Sequence, residues 1–155
     1  MSELKLIAAL ILMLGLQSAH VPRRYAQRAE DLAPLIRAAL VVEMSDLDPL
    51  LVGAMITKES GQRPEVFGKA GEVGYSQVKP DGMAKLLCRD LDIHKPADNI
   101  RCGVRILTFA RKRCGGEPSR WLGVYKGWRT CGSTGYSRRV LGIMERARPV
   151  IASLP

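Results

Sequence analysis

The sequence predicts a single, mainly α-helical domain, and three observations support this fold class. The chain has 155 residues, of which 46 % are hydrophobic, enough to build one core. Apolar residues recur at helical spacing, whereas sustained strand alternation is missing. After residue 20 the sequence contains no internal repeat, linker or low-complexity stretch. We therefore expect one domain over residues 21–155, preceded by a distinct apolar segment at residues 1–20.

Six helices are expected in this domain, at Tyr25–Glu43, Pro49–Ser60, Asp81–Asp90, Asp98–Cys114, Ser119–Lys126 and Tyr136–Arg148. The second has the clearest limits, because Asp48 is a good N-cap, Pro49 suits the first helical position and Gly61 ends the pattern. After it, glycines at 61, 68, 71 and 74 predict a short irregular or hairpin segment up to residue 80.

Apolar rows support the fourth and the last of these helices. Ile100, Val104 and Leu107 form one row, and Gly115-Gly116 follows as a stop. The last helix carries a row made of Val140, Leu141, Met144 and Ala147. Pro149 is expected to end it.

The amino-terminal segment predicts export. Leu6–Leu16 is an apolar run of eleven residues behind Lys5, too short to span a bilayer comfortably and suited to a secretory signal. Cleavage after Ala19 would leave Gln17 three positions before the cut, which is unusual, so cleavage after Ser18 and an uncleaved anchor both stay open. A core helix is a further alternative. We expect the protein in the periplasm or cell envelope.

Four cysteines, at 88, 102, 114 and 131, fit an oxidising destination. Three pairings exist, and we favour Cys88–Cys102 with Cys114–Cys131 because each closes a short loop, contributing about 3 kcal/mol for roughly 15 residues. No Cys-x-x-Cys pair occurs, and His20 and His94 lack ligand spacing to the cysteines. We therefore expect no metal.

The net charge of +9 indicates contact with something anionic. A cell wall or membrane surface fits this charge, and so does a solvated basic surface without a dedicated partner. Nucleic acid also fits the charge, but no zinc finger, recognition helix or RNA-binding motif is visible, so no nucleic acid is expected.

Glu59 is the candidate catalytic residue. It lies in the last turn of the second predicted helix, and Ile56, Met55 and Val52 precede it at helical spacing, so its carboxylate shares an apolar face. Apolar surroundings and the negative end of the helix dipole both disfavour the charged form, which makes a proton-holding acid available. A solvated glutamate at a helix end is the ordinary alternative.

The stretch from Glu59 to Pro80 resembles, without a gap, the signature of the lytic transglycosylases related to goose-type lysozyme, the soluble transglycosylase-like (SLT) domain. That signature reads Glu-Ser, a proline, a Gly-Ala-x-Gly-Leu-Met-Gln run, an apolar residue and a proline. The residues in register are Glu59, Ser60, Pro64, Gly71, Gly74, Gln77, Val78 and Pro80. Asp98-Asn99-Ile100 and Trp121–Tyr125 extend the likeness, which covers about residues 45–145. The resemblance implies a lysozyme-like fold.

The chain departs from that signature at positions that would line the substrate. Tyr75-Ser76 stands where the family usually has Leu-Met, and Glu72 stands where it has Ala. Gly68 and Gly82 replace residues that are often Ser and Thr. Lys126 replaces the Asn that usually follows the tyrosine, which adds a cation beside the expected cleft.

The resemblance assigns roles around Glu59. It implies that Tyr125 lies by the acid and hydrogen-bonds the acid or the substrate, and that Gln77 offers its amide to either. Ser60 is expected to contact the substrate, and its hydroxyl to orient Glu59 or to cap the helix end. Among the aromatic residues, we single out Tyr75, Trp128 and Tyr136 as rings on which sugars stack, with packing near Cys131 as the alternative for Trp128.

Only one carboxylate matches a motif, so the resemblance implies substrate-assisted cleavage between N-acetylmuramic acid and N-acetylglucosamine, ending in a 1,6-anhydro product without cofactor or metal. Glu65 and Glu72 are expected to be solvated loop charges. A lysozyme-like hydrolase in which Glu72 or Glu65 holds a water is the first alternative. A non-catalytic cell-wall-binding protein of a secretion or phage apparatus is the second. We expect a monomer that binds peptidoglycan glycan strands.

Overall fold

The computed structural model describes residues 1–15, 21–127 and 129–153, with only the backbone described at residue 150. Within these ranges the chain is helical and contains no strand, so the predicted mainly α class is confirmed. The helices are α1 (Glu3–Met13), α2 (Arg23–Val42), α3 (Pro49–Ser60), α4 (Ala84–Leu87), α5 (Pro96–Cys114), α6 (Pro118–Tyr125) and α7 (Gly135–Ser153).

Two predicted helix limits were wrong. The helix expected over Asp81–Asp90 is the single turn α4, of which only Ala84 is buried, and Cys88 then leaves helical geometry at φ −129°. Pro149 does not stop α7, which continues to Ser153. Ala147 is fully buried and Ile151 packs against the core, so tertiary contacts carry this helix past the proline.

Helix α3 is the centre of the core and begins and ends as predicted. The Asp48 carboxylate accepts a hydrogen bond of 2.9 Å from the Leu50 amide, and Pro49 occupies the first turn. Gly61 ends the helix in the left-handed conformation at φ 61°. Every residue from Leu50 to Ile56 is buried. Helices α1, α2 and α7 pack around this apolar half, which leaves the last turn of α3 to face the loop that follows.

Helix α1 packs into the same core through Leu6, Ala9, Leu10 and Met13. Gly53 of α3 makes room for it, because a Cβ atom there would lie 2.8 Å from Leu10 Cδ2. The Gln62 side chain donates a hydrogen bond of 2.8 Å to the Leu10 carbonyl oxygen. The apolar leader is thus a packed core helix in this structure.

Export and removal of the leader stay predictions. The expected cleavage positions, after Ser18 and after Ala19, lie outside the described residues. None of the helices in the described part of the chain is long and apolar enough to cross a bilayer.

Two disulfides tie the carboxyl half together. Cys88, the residue after α4, is bonded to Cys102 in α5. Cys114 at the end of α5 is bonded to Cys131, which precedes α7. These are the two pairs that loop length favours. Between α3 and α4 the chain forms no regular strand, only isolated bridges from Val73 to Phe67 and Val78, as expected for a short irregular or hairpin segment.

Candidate active site

Glu59 lies in the last turn of α3 with only 5 % of its side chain exposed. Its Oε2 atom accepts a hydrogen bond of 3.1 Å from Lys126 Nζ, on the residue that follows α6. Its Oε1 atom is buried and has no hydrogen bond of normal geometry with the described residues. A buried carboxylate with one oxygen still unsatisfied is unusual in a protein interior, and such groups occur preferentially at functional sites.

Two stacked tyrosines flank this carboxylate. The rings of Tyr125 in α6 and Tyr136 in α7 lie with centroids 6.3 Å apart and planes 8° apart. Burial and, after it, the negative charge of Glu59 raise the pKa of both phenols well above the ordinary value. Both hydroxyls therefore keep their protons at neutral pH and act as hydrogen-bond donors.

The two hydroxyls have different partners. Tyr125 donates a hydrogen bond of 2.5 Å to the Ser76 carbonyl oxygen, which fastens the loop after α3 to α6. The Tyr136 hydroxyl is buried and makes no hydrogen bond of normal geometry within the described residues. It lies close enough to Glu59 for a hydrogen-bonding interaction to contribute to its raised pKa. Of the two phenols, Tyr136 is therefore the one whose hydroxyl interacts with the Glu59 carboxylate.

The predicted role of Tyr75 is wrong in this structure. Tyr75 is only 3 % exposed and belongs to the hydrophobic core, so its ring is not available to a sugar. Burial raises the pKa of this phenol to about 12. The third predicted stacking residue, Trp128, lies outside the described residues.

Ser60 is also enclosed, at 2 % exposure, which contradicts its predicted contact with substrate. Its hydroxyl donates to the Ile56 carbonyl oxygen at 3.2 Å and accepts from the Arg63 amide at 3.3 Å. These bonds satisfy groups at the carboxyl end of α3, which was the alternative to orienting Glu59.

Gln77 uses its amide inside the loop. Its Nε2 atom donates hydrogen bonds of 2.9 Å to the carbonyl oxygens of Val66 and Gly74. The residue itself has φ 46°, a conformation that few side chains adopt, and these two bonds offset its cost. Gln77 therefore holds the shape of the loop, while its side chain also borders the cleft described next.

A cleft of about 230 Å³ is lined by Lys126, the ion-pair partner of Glu59, whereas Glu59 itself is not among the lining residues. Its walls come from the loop, from α5 and from the end of α6; they are Glu72, Gln77, Val78, Lys79, Gly82, Met83, Ala84, Ile106, Tyr125, Lys126 and Gly127. Lys126 is common to this wall and to the ion pair with Glu59. Lys126 is therefore the residue that connects the cleft wall to the Glu59 carboxylate.

Glu72 is a fixed anion on the cleft wall. Its carboxylate accepts a hydrogen bond of 3.0 Å from the Ala70 amide and covers Gly68, where a Cβ atom would lie 2.2 Å from Glu72 Oε2. Hydrogen bonding from its own amide and then from Ala70 holds the pKa of this carboxyl below its usual range. Glu72 is thus ionised at neutral pH and cannot serve as a proton donor, whereas Glu65 is an exposed loop residue.

Asn99 is the site-building residue that sequence analysis missed. It is fully buried in α5 and binds the loop through three bonds: its Nδ2 donates to the carbonyls of Val73 at 2.9 Å and Ile93 at 2.8 Å, and its Oδ1 accepts from the Ser76 amide at 2.8 Å. Gly74 permits this approach, since a Cβ there would lie 2.7 Å from Asn99 Nδ2. Its signal in the sequence was the resemblance of Asp98-Asn99-Ile100 to the family's next helix, which gave Asn99 no role.

No group of three or more histidine, cysteine, aspartate or glutamate side chains lies together as a metal site in the described ranges. The polar groups around Glu59 are those of a site for proton transfer: one buried carboxylate, two protonated phenols and one ammonium.

Comparison with protein families finds that the family model described as the transglycosylase SLT domain matches residues 38–131. The matched segment begins in α2, contains Glu59, the following loop, Asn99 and Lys126, and ends at the second disulfide. The comparisons with curated proteins and with solved structures returned no match.

Proposed function

Because the chain belongs to the transglycosylase SLT domain family, we propose that it is a peptidoglycan lytic transglycosylase with Glu59 as its catalytic residue. Family membership supports lytic-transglycosylase action on peptidoglycan. The observation that carries the choice of Glu59 is its half-satisfied burial between the Tyr136 phenol and the ammonium of Lys126, a residue of the cleft wall.

The proposed reaction begins with general-acid catalysis at the β-1,4 bond between N-acetylmuramic acid and N-acetylglucosamine. Glu59 in its protonated form gives its proton to the glycosidic oxygen, and the bond from this oxygen to C1 of the muramyl residue breaks. The acetamido carbonyl oxygen of the same sugar bonds to C1 and stabilises the cationic centre, so no second carboxylate is required.

The second step uses the same group as a base. The Glu59 carboxylate takes the proton of the C6 hydroxyl. At the same time the C6 oxygen attacks C1, and the bond between C1 and the acetamido oxygen breaks. The product is a 1,6-anhydro muramyl end, and Glu59 has recovered its proton. A donor such as the Tyr136 hydroxyl would stabilise the carboxylate formed between the two steps.

The location of the protein follows from the same proposal. Peptidoglycan lies outside the cytoplasm, and two disulfides fit an extracytoplasmic protein. We place the protein in the periplasm or cell envelope, where the charge of +9 favours adhesion to an anionic wall. Glycan strands are its proposed partners, and it acts as a monomer.

The decisive experiment is digestion of purified sacculi with the full chain, with Glu59→Gln and with Glu65→Gln, followed by mass spectrometry of the released fragments. Glu65→Gln makes the same chemical change on an exposed loop carboxylate and serves as the matched control. Anhydro-muropeptides from the wild type and from the control, but not from Glu59→Gln, would support the proposal. A folded protein that releases nothing would point to the cell-wall-binding alternative.

Hydrolysis is the second candidate, and the ionised Glu72 on the cleft wall favours it because a carboxylate there can hold a water. Products that carry a hydrated reducing end would identify this reaction. Loss of those products in Glu72→Gln, with anhydro products retained, would assign the water to Glu72.

A further inference from the structure

The ion pair between Lys126 and Glu59 has a consequence for substrate choice, which rests on the proposed function. We propose that Lys126 is a specificity-determining latch: it closes on Glu59 in the free protein and opens when a carboxylate on the muramyl residue of the substrate binds its ammonium group.

The geometry closes the site to a neutral glycan. Glu59 Oε1 is buried, so Oε2 is the oxygen left to meet a glycosidic oxygen, and the cleft reaches it only through Lys126, because Glu59 does not itself line the cleft. Lys126 Nζ occupies that position at 3.1 Å. A general acid must come within about 3 Å of the oxygen that it protonates, so substrate and ammonium compete for the same place.

The burial of the pair points the same way. The ion pair is shielded from water, because only 5 % of the Glu59 side chain is exposed. A charge-assisted hydrogen bond in such a place is strong, so an anionic group of the substrate is the partner best suited to draw Lys126 away from Glu59.

Lys126 is built to move, whereas Glu59 is held. The lysine side chain is 36 % exposed on a long flexible stem, and Gly127 with φ 86° follows it at the end of α6. Its ammonium also lies 5.8 Å from the ring centroid of Tyr136, a second resting contact on the way to the cleft.

The cleft favours an anion as the group that draws Lys126 away. Lys79 is the other lysine on its wall, and within the described residues its ion pair is a long one of 3.8 Å to the exposed Asp81. Glu72 is the single carboxylate among the lining residues. Once Lys126 has left Glu59, two lysines and one carboxylate line the cleft, so the wall then has room for another negative charge. A muramyl residue brings a carboxylate on its lactyl ether or on its peptide stem, whereas N-acetylglucosamine brings none.

The test measures kcat/KM of the full chain for three glycans of equal length. The first carries peptide stems, the second lacks stems but keeps the free lactyl carboxylate, and the third contains N-acetylglucosamine alone. The variants are Lys126→Met, Lys126→Arg and, as a control for net charge, Lys112→Met, an exposed lysine on a separate cleft. The ratio between substrates is independent of how much of each variant is folded.

The wild type and the control should prefer the glycans that carry carboxylates. In Lys126→Met this preference should fall by about tenfold, the loss expected for one charge-assisted hydrogen bond, with cleavage of the neutral glycan unchanged or faster. Lys126→Arg should keep most of the preference for glycans that carry carboxylates. A preference confined to strands with stems assigns the carboxylate to the peptide, and one shared by both assigns it to the lactyl ether. An unchanged ratio in Lys126→Met overturns the latch.

Binding separates this inference from the proposed reaction. Calorimetry with a muramyl disaccharide and with diacetylchitobiose measures carboxylate preference without cleavage. A folded wild type that binds the muramyl sugar through Lys126, yet releases no product from sacculi, contradicts the reaction and leaves carboxylate recognition standing. Cleavage of sacculi with no Lys126-dependent preference in either measurement contradicts the latch alone.

Discussion

Two glutamates in this protein are buried against basic side chains, and they differ in how completely they are satisfied. Glu43, at the end of α2, receives Arg101 Nε on one oxygen at 2.8 Å and Arg105 Nε on the other at 2.7 Å. Arg105 also binds Asp90 and the Leu87 carbonyl oxygen. Glu59 has one lysine on one oxygen and no normal hydrogen bond on the other.

This difference indicates which cluster stabilises the fold and which one is suited to the proposed proton transfer. Both glutamates lie near a cleft: Glu43 lines one of about 260 Å³, so a cavity alone does not distinguish them. In the Glu43 cluster Glu43, Arg101 and Arg105 each have two or more partners, which rigidifies the contact between α2, α5 and the segment after α4. In the Glu59 cluster one oxygen has a single ammonium partner and the other has no normal hydrogen bond among the described residues, so this carboxylate is held less completely, as the proposed proton transfer requires.

The largest expected effect contrasts Glu59→Gln with Glu43→Gln. Glu59→Gln should lower the rate of product release from sacculi on the order of 10³-fold, because general acid and base catalysis is lost. Its free energy of unfolding should change little, since a neutral amide removes a poorly satisfied charge. Glu43→Gln should lose about 2–3 kcal/mol of stability, because two guanidinium groups lose their charged partner, and should keep its activity per folded molecule.

Urea unfolding and sacculus digestion on the same preparations measure both quantities. The comparison breaks if Glu59→Gln proves as destabilised as Glu43→Gln, because the two clusters would then both be structural.

The two stacked tyrosines should show a smaller contrast of the same kind, between an effect on stability and an effect on activity. Tyr125→Phe removes the donor to the buried Ser76 carbonyl oxygen and should cost about 1–2 kcal/mol of stability, with loosening of the loop that forms the cleft. Tyr136→Phe removes a hydroxyl without a normal hydrogen bond and should cost less than about 0.5 kcal/mol, yet reduce activity through the loss of a donor near Glu59. Thermal unfolding together with kcat separates the two, and equal stability losses would contradict this division.

The smallest expected effect is a dependence of stability on acid that belongs to the Glu43 cluster. Although burial opposes it, hydrogen bonds and attraction from Arg105 and Arg101 lower the pKa of Glu43 below 4.5, and a hydrogen bond from Arg105 lowers that of Asp90 to about 2. Since these pKa values are lower in the folded state, the unfolded chain binds more protons as pH falls. The stabilisation is complete above about pH 4.5 and is lost as the pH falls towards 2.

Urea unfolding at pH 6, 4 and 3 checks this dependence. The decrease should be shallower in Glu43→Gln, and an identical slope in that variant would assign the acid sensitivity to other carboxylates.

Local sequence signals predicted much of the fold. Asp48, Pro49 and Gly61 determine the limits of α3 because capping and helix ending depend on atoms within one turn. The apolar rows placed α5 and α7, although packing carried α7 beyond Pro149. Of the helix expected over Asp81–Asp90 only one turn forms, with Ala84 as its buried residue, and how much of a helix packs against the core is a tertiary property that periodicity does not encode.

The candidate site was predicted less completely. A motif pointed to Glu59, but burial excludes the substrate contact predicted for Ser60 and the sugar stacking predicted for Tyr75. Asn99 was part of the resemblance but received no role, because its three bonds reach residues in the preceding loop and linker. Accessibility and hydrogen-bond partners are properties of the packed molecule, so residue type and spacing leave them open.

By itself, the sequence determined the helical class, the ends of the central helix, the acid at its last turn and the basic character of the surface. These features depend on residue type, charge and contacts within a few positions. Only the tertiary structure decided that Lys126 meets Glu59 across 67 positions, that Tyr136 joins them and that the leader packs as α1. Such contacts arise because burying the apolar faces of α3, α6 and α7 together brings distant polar groups into one place, whatever their separation along the chain.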